Sequence, residues 1–342
     1  MILIVGGAGY VGSQIVKEFV SCGKRVKVLD RGYFGFNALD EVKDKIELIV
    51  SDMRKVSPSI FENVRTIINV GGLSNDPTAE YSPEANMEMN VNATYKIAED
   101  GKANGVGKYI LASSCSIYDR GLDDERSDTV LDESAMVNPQ AAYAVSKLKA
   151  EEKLFELADD NFKCIALRKG TIFGYSDRMR YDLVVNTFLK AGLKDGVLNL
   201  HNCGQVWRPM LAIEDAVQAY KLASDYDIST GVYNVTSFNI RVSEIAIVVQ
   251  SVLRKHDYKC DFRLNTSKSG IRNYRVTSEK FRRLGWNPSV TLEKSVENML
   301  IEILGNEKTD WDNPLYYNIN WMKCIDMSAQ ILGTNKKAHE CI

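Results

Sequence analysis

Short apolar runs rich in β-branched residues alternate with helical periodicity through the first half of the chain. Residues 2–5, 26–29, 46–50, 66–70 and 109–112 are predicted as strands, with a further strand through 164–168. Between them, 11–22, 82–104 and 139–157 carry the spacing of helices. The strand runs are apolar at nearly every position rather than at alternate ones. That pattern fits strands covered on both faces, as in a parallel sheet between two helical layers. The second half is less regular. Helices are predicted over 181–194, 213–224, 243–255 and 291–304. Ser243 is the expected helix-starting residue of the third, and Thr291 the N-cap of the fourth, with Lys294 where a capping box would carry Glu. The tail from Lys308 holds Trp311, Tyr316, Tyr317 and Trp321, a density of aromatics that predicts docking, with only the last few residues left free.

Composition removes several function classes. The chain has 342 residues and a formal charge of -2, without the basic excess of a nucleic-acid or anionic-membrane binder. No apolar run is long enough to span a bilayer, and Met1–Val5 lacks the basic lead and cleavage site of a signal peptide. The seven cysteines are scattered without a CxxC pair, so neither a disulfide framework nor a zinc site is expected, and a reducing cytoplasm is the expected compartment. Three histidines leave little for a His-based metal site or a Ser-His-Asp triad, and no metal is expected.

Gly6-Gly7-Ala8-Gly9-Tyr10-Val11-Gly12 follows the first strand directly and opens a helix. Gly6, Gly9 and Gly12 permit a tight turn and close backbone approach to a pyrophosphate, and the helix N-terminus offers free N–H groups. Asp30 ends the second strand, where an acid binds ribose hydroxyls. Strand, glycine loop, helix, strand and acid in that order predict a dinucleotide. The Asp30 carboxylate repels a 2′-phosphate and favours NAD over NADP, whereas Arg31 could pair with such a phosphate. Asp52 after the third strand is placed to meet the adenine, and Gly71-Gly72-Leu73 after the fourth leaves room for the cofactor. Met53, Asn90, Tyr143 and Lys147 complete the expected cofactor set. The fold class that follows is α/β, a doubly wound parallel sheet of Rossmann type with a smaller, irregular C-terminal lobe. Residues 1–170, with a return segment near 205–237, are the expected NAD-binding domain; 171–204 and 238–342 are the expected substrate lobe and tail.

Tyr143-Ala-Val-Ser-Lys147 lies within a helical pattern, and its i,i+4 spacing puts both side chains on one face. An ammonium beside a phenol favours the phenolate, so Lys147 is expected to lower the pKa of Tyr143 and fit it for proton transfer during hydride transfer. Ser113-Ser114-Cys115-Ser116-Ile117-Tyr118 ends the fifth strand, where doubly wound sheets bind ligands, and Ser114 could hold the reacting oxygen.

These motifs, together with LRKGTIFG and VWRP, resemble the extended short-chain dehydrogenase/reductases of the nucleotide-sugar epimerase/dehydratase family, from Met1 to about Met299. The resemblance implies bound NAD, a nucleotide-diphosphate sugar, and a Ser114–Tyr143–Lys147 active site. It further implies substrate contacts from Thr171, Asn186 and Arg208, with Cys115 and Ser116 near the sugar. Arg272 and Arg275 are further phosphate candidates, with surface salt bridging as the alternative. The resemblance also implies a homodimer through helices 82–104 and 139–157.

The implied first step is oxidation at a sugar carbon, usually C4. Members that go on to 4,6-dehydration carry Thr-Asp-Glu at the strand end; Ser114-Cys115-Ser116 has no carboxylate, which argues against dehydration. Some epimerase-reductases use a Cys one position later, where Ser116 stands, so Cys115 is either a proton-transfer group or a packed residue. Arg178-Met-Arg-Tyr-Asp182 either contacts the sugar or covers the site. A C4 epimerase is the leading expectation. The competitors are a keto-sugar reductase and a non-catalytic dinucleotide-binding scaffold.

Overall fold

The computed structural model describes residues 1–118, 129–266, 272–305 and 310–331. Seven strands form the central sheet: Ile2–Val5 (β1), Val26–Asp30 (β2), Ile46–Val50 (β3), Thr66–Asn69 (β4), Lys108–Ser114 (β5), Lys163–Lys169 (β6) and Gly231–Val235 (β7). Their order is β3-β2-β1-β4-β5-β6-β7 and every pairing is parallel. The apolar runs explain this burial, because successive side chains point to opposite faces. Ile4 packs with Ile15, Phe19 and Val28 on one side, while Leu3 and Val5 pack with Ile67, Ile97 and Leu154 on the other. Helices Tyr10–Ser21 (α1) and Ile213–Asp225 cover the first face; Ala93–Ala103 and Ala142–Glu156 cover the second. The fold is the expected doubly wound α/β sheet.

Several expectations are corrected. The single helix expected over 82–104 is Pro83–Met87, a π-helical turn Glu88–Asn92, and Ala93–Ala103. The π turn carries Asn90, whose side chain reaches the loop after β4. Helix Val242–Lys255 starts one residue before Ser243, because Glu244 accepts a hydrogen bond from the Arg241 N–H at 2.8 Å and makes Arg241 the cap. Thr291 does act as an N-cap acceptor, for the Lys294 N–H at 3.3 Å.

The second half also has sheets of its own. Trp207–Ala212 pairs in parallel with Thr171–Phe173 and antiparallel with Phe238–Arg241. Val197–His201 pairs with Asp261–Asn265. The return segment is therefore split, since Gly231–Val235 joins the main sheet while Trp207–Ala212 belongs to the small one. One apolar cluster runs through both halves, from Ile4 to Ile303.

The tail docks, as its aromatics predict. Tyr181 packs its ring against Trp311 and Tyr316, with centroids 5.3 and 5.2 Å away. Helix Asn318–Ile331 then crosses to the loop after β2, where the Trp321 indole N–H donates to the Tyr33 carbonyl, and Tyr81 donates to Asp326 at 2.8 Å. The final residues, expected to be free, lie outside the described ones.

Candidate active site

A cavity of about 1100 Å³ opens at the carboxyl ends of β1, β2, β4, β5 and β6. Strand order reverses between β1 and β4, and the crevice at such a point is where open α/β sheets bind ligands. The glycine loop forms its floor, and the small three-stranded sheet and tail helix form its far wall.

At the glycine loop, side chains are excluded by geometry. A Cβ on Gly12 would stand 2.1 Å from the Gly6 carbonyl oxygen, and one on Gly6, which has φ +78°, would stand 2.6 Å from the Gly71 Cα. Gly9 is the N-cap of α1 and offers no side-chain cap, and no acid lies in the first turn. The N–H groups of that turn are left for an anion entering the cavity. The Asp30 carboxylate accepts from the Ala8 N–H at 3.0 Å and the Gly32 N–H at 2.9 Å, which fixes it at the cavity edge. Tyr10, Val11, Arg31, Met53, Gly71, Gly72 and Leu73 also line the cavity. Arg31 lies 3.5 Å from Asp52 and 5.2 Å from the Tyr33 ring, engaged at the end of β2 rather than held open for a 2′-phosphate. This cradle fits a pyrophosphate beside an adenosine ribose.

At the other end, Ser114 and Tyr143 both line the cavity, and the Ser114 hydroxyl lies close enough to favour the phenolate of Tyr143. Ser114 Oγ also accepts from the Ser116 N–H at 3.1 Å. Helix Ala142–Glu156 sets Lys147 one turn behind Tyr143, its Nζ 5.7 Å from the phenol ring centre. A buried network braces this arrangement. Arg168 donates to Glu151 at 3.0 and 2.7 Å, Ser113 donates to the same carboxylate, and Arg168 reaches the Tyr118 hydroxyl at 3.2 Å.

The pKa expectation for Tyr143 is corrected. Burial, reinforced by the Asp76 carboxylate, pushes the phenol up to about 12, outweighing the cations of Arg180 and Arg272 and the neighbouring Ser114 hydroxyl. Burial likewise lowers Lys147 to about 8, against the pull of Glu151. Desolvation of both groups thus outweighs the helix-neighbour effect that the spacing suggests.

Five expected contacts take other positions, Lys147 among them, which is buried behind Tyr143 and is not among the lining residues. Asp52 does not face the cavity; Arg54 holds it through its Nε at 2.9 Å and through a second nitrogen at 2.5 Å, while Ser51 and Met53 do the lining. Asn90 is buried and holds Leu73, accepting from its N–H and donating to its carbonyl, each at 2.9 Å. Asn186 is fully buried and donates to Tyr10 Oη and the Arg180 carbonyl, so it supports the wall rather than touching a diphosphate. Cys115 is buried against the Arg168 carbonyl at 3.1 Å, does not line the cavity, and has its thiol pushed above the ordinary range by burial, the position of a packed residue.

Ser116, Thr171, Arg208 and Arg272 do line the cavity. Arg208 donates to the Trp207 carbonyl at 2.9 Å and to that of Arg272. Arg272 pairs with Asp76 at 2.8 and 3.0 Å. Arg275 stacks on Trp207 at 5.0 Å and is not among the lining residues. The Arg178–Asp182 stretch covers the site: Arg178 sits 3.7 Å over the Phe34 ring and donates to Asn318 at 2.6 Å, while Arg180 pairs with Asp182 and donates to Ser74 at 3.1 Å.

Sequence reasoning missed Lys169, Asp76, Tyr274, Asn318, Ile319 and Met322, all of which line the cavity. For Lys169 a signal existed, since it directly follows a strand whose end faces the crevice. Among the described residues no group of three His, Cys, Asp or Glu could hold a metal, and no helix is long and apolar enough to cross a membrane.

The model of the NAD-dependent epimerase/dehydratase family matches residues 2–236. The chain belongs to this family. It is 24% identical over 323 residues to a Methanocaldococcus jannaschii protein with a provisional UDP-glucose 4-epimerase assignment, covering 90% of this chain and all of that one. It is 25% identical to UDP-glucuronic acid decarboxylase 1 of Arabidopsis thaliana, over 87% of this chain and 68% of the other. The UDP-glucuronic acid 4-epimerase of Bacillus cereus shares the fold, with a TM-score of 0.78 at 18% identity over 89% of this chain and 99% of that one. The family makes this chain an NAD-dependent enzyme, and the relatives act on sugar nucleotides as epimerases, decarboxylases and reductases.

Proposed function

We propose that the chain is a nucleotide-sugar epimerase that inverts C4 through transient oxidation to a keto sugar. The observation that carries this reading is that Ser114 and Tyr143 line the same cavity as the Gly6–Gly12 cradle. NAD, when bound, supplies a hydride acceptor that can return the hydride after the sugar has turned. Tyr143 takes the hydroxyl proton as the carbon is oxidised and gives it back on reduction. Ser114 orients the reacting oxygen, and Lys147 holds positive charge behind the phenol. Arg208 and Arg272 on the far wall bind the diphosphate. Ser114-Cys115-Ser116 offers no acid to remove water, and the buried Cys115 adds no second proton donor, so the reaction stays with the hydroxyl under Tyr143.

We also propose residues 1–170, with the return segment near 205–237 less its Trp207–Ala212 strand, as the cofactor domain and the remainder as the substrate lobe. The family's NAD dependence and the epimerases among the relatives support the reading. The test is the absorbance of purified protein. Adding a UDP-sugar without free cofactor should raise the near-ultraviolet band of reduced nicotinamide. Turnover seen only with added NADPH and a keto sugar would make the enzyme a reductase instead.

A further inference from the structure

Lys169 ends β6, directly beside Ser114 in the sheet register, and both residues line the cavity. Paired residues of adjacent parallel strands point to the same face, so the Lys169 side chain enters the cavity on the same side of the sheet as the group that orients the reacting oxygen. Among the described residues no carboxylate and no hydrogen-bond acceptor reaches its Nζ. Of the other cations at this end, Arg168 has Glu151 and Arg180 has Asp182, while Lys147 sits behind the Tyr143 ring. The neighbouring charges that bear on Lys169 are mainly cations, Lys147 and Arg180, and burial with their repulsion lowers the amine to about 7.

A desolvated ammonium is costly unless an anion meets it, and here the protein supplies none. The cofactor's pyrophosphate is assigned to the α1 N-terminus, and the substrate's diphosphate to Arg208 and Arg272 on the opposite wall. The anion left for Lys169 is a substituent on the sugar ring, adjacent to the carbon whose hydroxyl faces Ser114 and Tyr143.

We propose that Lys169 is a specificity-determining residue that pairs with a carboxylate on the sugar, making the preferred substrate a nucleotide-linked uronic acid. This rests on the nucleotide-sugar reading above and narrows it. A neutral hexose puts only a hydroxymethyl group at that place, which leaves the ammonium desolvated and unpaired. The bound carboxylate raises the Lys169 pKa back toward its ordinary value, so binding and protonation reinforce each other.

The test is calorimetric binding of UDP-glucuronate and UDP-glucose to the NAD-loaded enzyme, for wild type, Lys169→Met and Lys169→Arg. Loss of one charge-assisted hydrogen bond is worth about ten- to a hundredfold in affinity. Wild type should prefer the acid by about that factor, Lys169→Met should erase the preference, and Lys169→Arg should keep most of it. An unchanged melting temperature and cofactor content in the Met variant excludes misfolding. No preference for the acid in wild type, including no binding of either sugar, overturns the proposal, as does an equal loss for both sugars in Lys169→Met. Because the readout is binding, it separates this proposal from the epimerase reading, which turnover alone decides.

Discussion

Tyr143 and Lys147 are both desolvated more strongly than their spacing suggests. A phenol held near 12 is a proton donor at neutral pH and becomes an acceptor only when positive charge gathers in the cavity. Replacing Tyr143 with Phe removes the proton route and leaves the cradle at Gly6–Gly12 intact. Turnover should fall about a hundred- to ten-thousandfold with cofactor content unchanged, and undiminished turnover would remove Tyr143 from the mechanism. Lys147 and Lys169 carry a second consequence. Their folded values, about 8 and about 7, lie below that of a free lysine, so through this range the unfolded chain binds more protons than the folded one. Stability of the cofactor-free protein therefore rises with pH above about 7, and the penalty of burying these amines is fully present below it. The melting temperature should increase from about pH 6.5 to about pH 8, and Lys169→Met should flatten that increase. A fall across the window, or an identical slope in the variant, contradicts the burial of charge described here.

At the scale of elements, the strands of the first half were legible because continuous apolar runs have few ways to be buried. Ile2–Val5 and Ile46–Val50 match the expected bounds. The strands of the small lobe were not legible. Asp261–Asn265 is exposed at all five positions and alternates only at Phe262 and Leu264, too briefly to stand out, and Thr171–Phe173 is too short to show a period. Asn186 illustrates a limit of the site reading, because its sequence position did not show that its amide would be taken up by Tyr10 and Arg180. Lys169 shows the converse, since its place at the end of a strand that faces the crevice was a signal that put it in reach of the cavity. The tail was legible as a docking segment but not as part of the cavity. Ile319 and Met322 line it near Tyr33 and Phe34, next to the loop where the adenosine end is placed. A chain ending at residue 305 should therefore keep its fold and bind NAD about tenfold or more weakly, as burial of one or two apolar side chains against the cofactor is lost. Equal NAD affinity, measured by titration of the two proteins, would show that the tail only decorates the lobe.

At the scale of the whole molecule, one apolar cluster joins the sheet to the small lobe, which fixes the far wall carrying Arg208 against the strand ends carrying Ser114. That rigidity suits a site that must present both faces of one carbon to the same hydride. We propose that two copies associate through the helices over 82–104 and 139–157, the second-face layer of the sheet. Light scattering after size exclusion should give twice the 38.4 kDa chain mass, and a monomer at all concentrations would contradict the pairing. The central claim is that Ser114 and Tyr143 carry out reversible oxidation at C4 with a cofactor that is regenerated in every cycle. Proton NMR of a UDP-sugar incubated with purified, NAD-loaded enzyme, with no cofactor added, measures this directly. The account predicts a new anomeric signal from the C4 epimer, growing to the same ratio from either epimer. An unchanged spectrum with both UDP-glucuronate and UDP-glucose, or a product that appears only in proportion to added reduced cofactor, would contradict it.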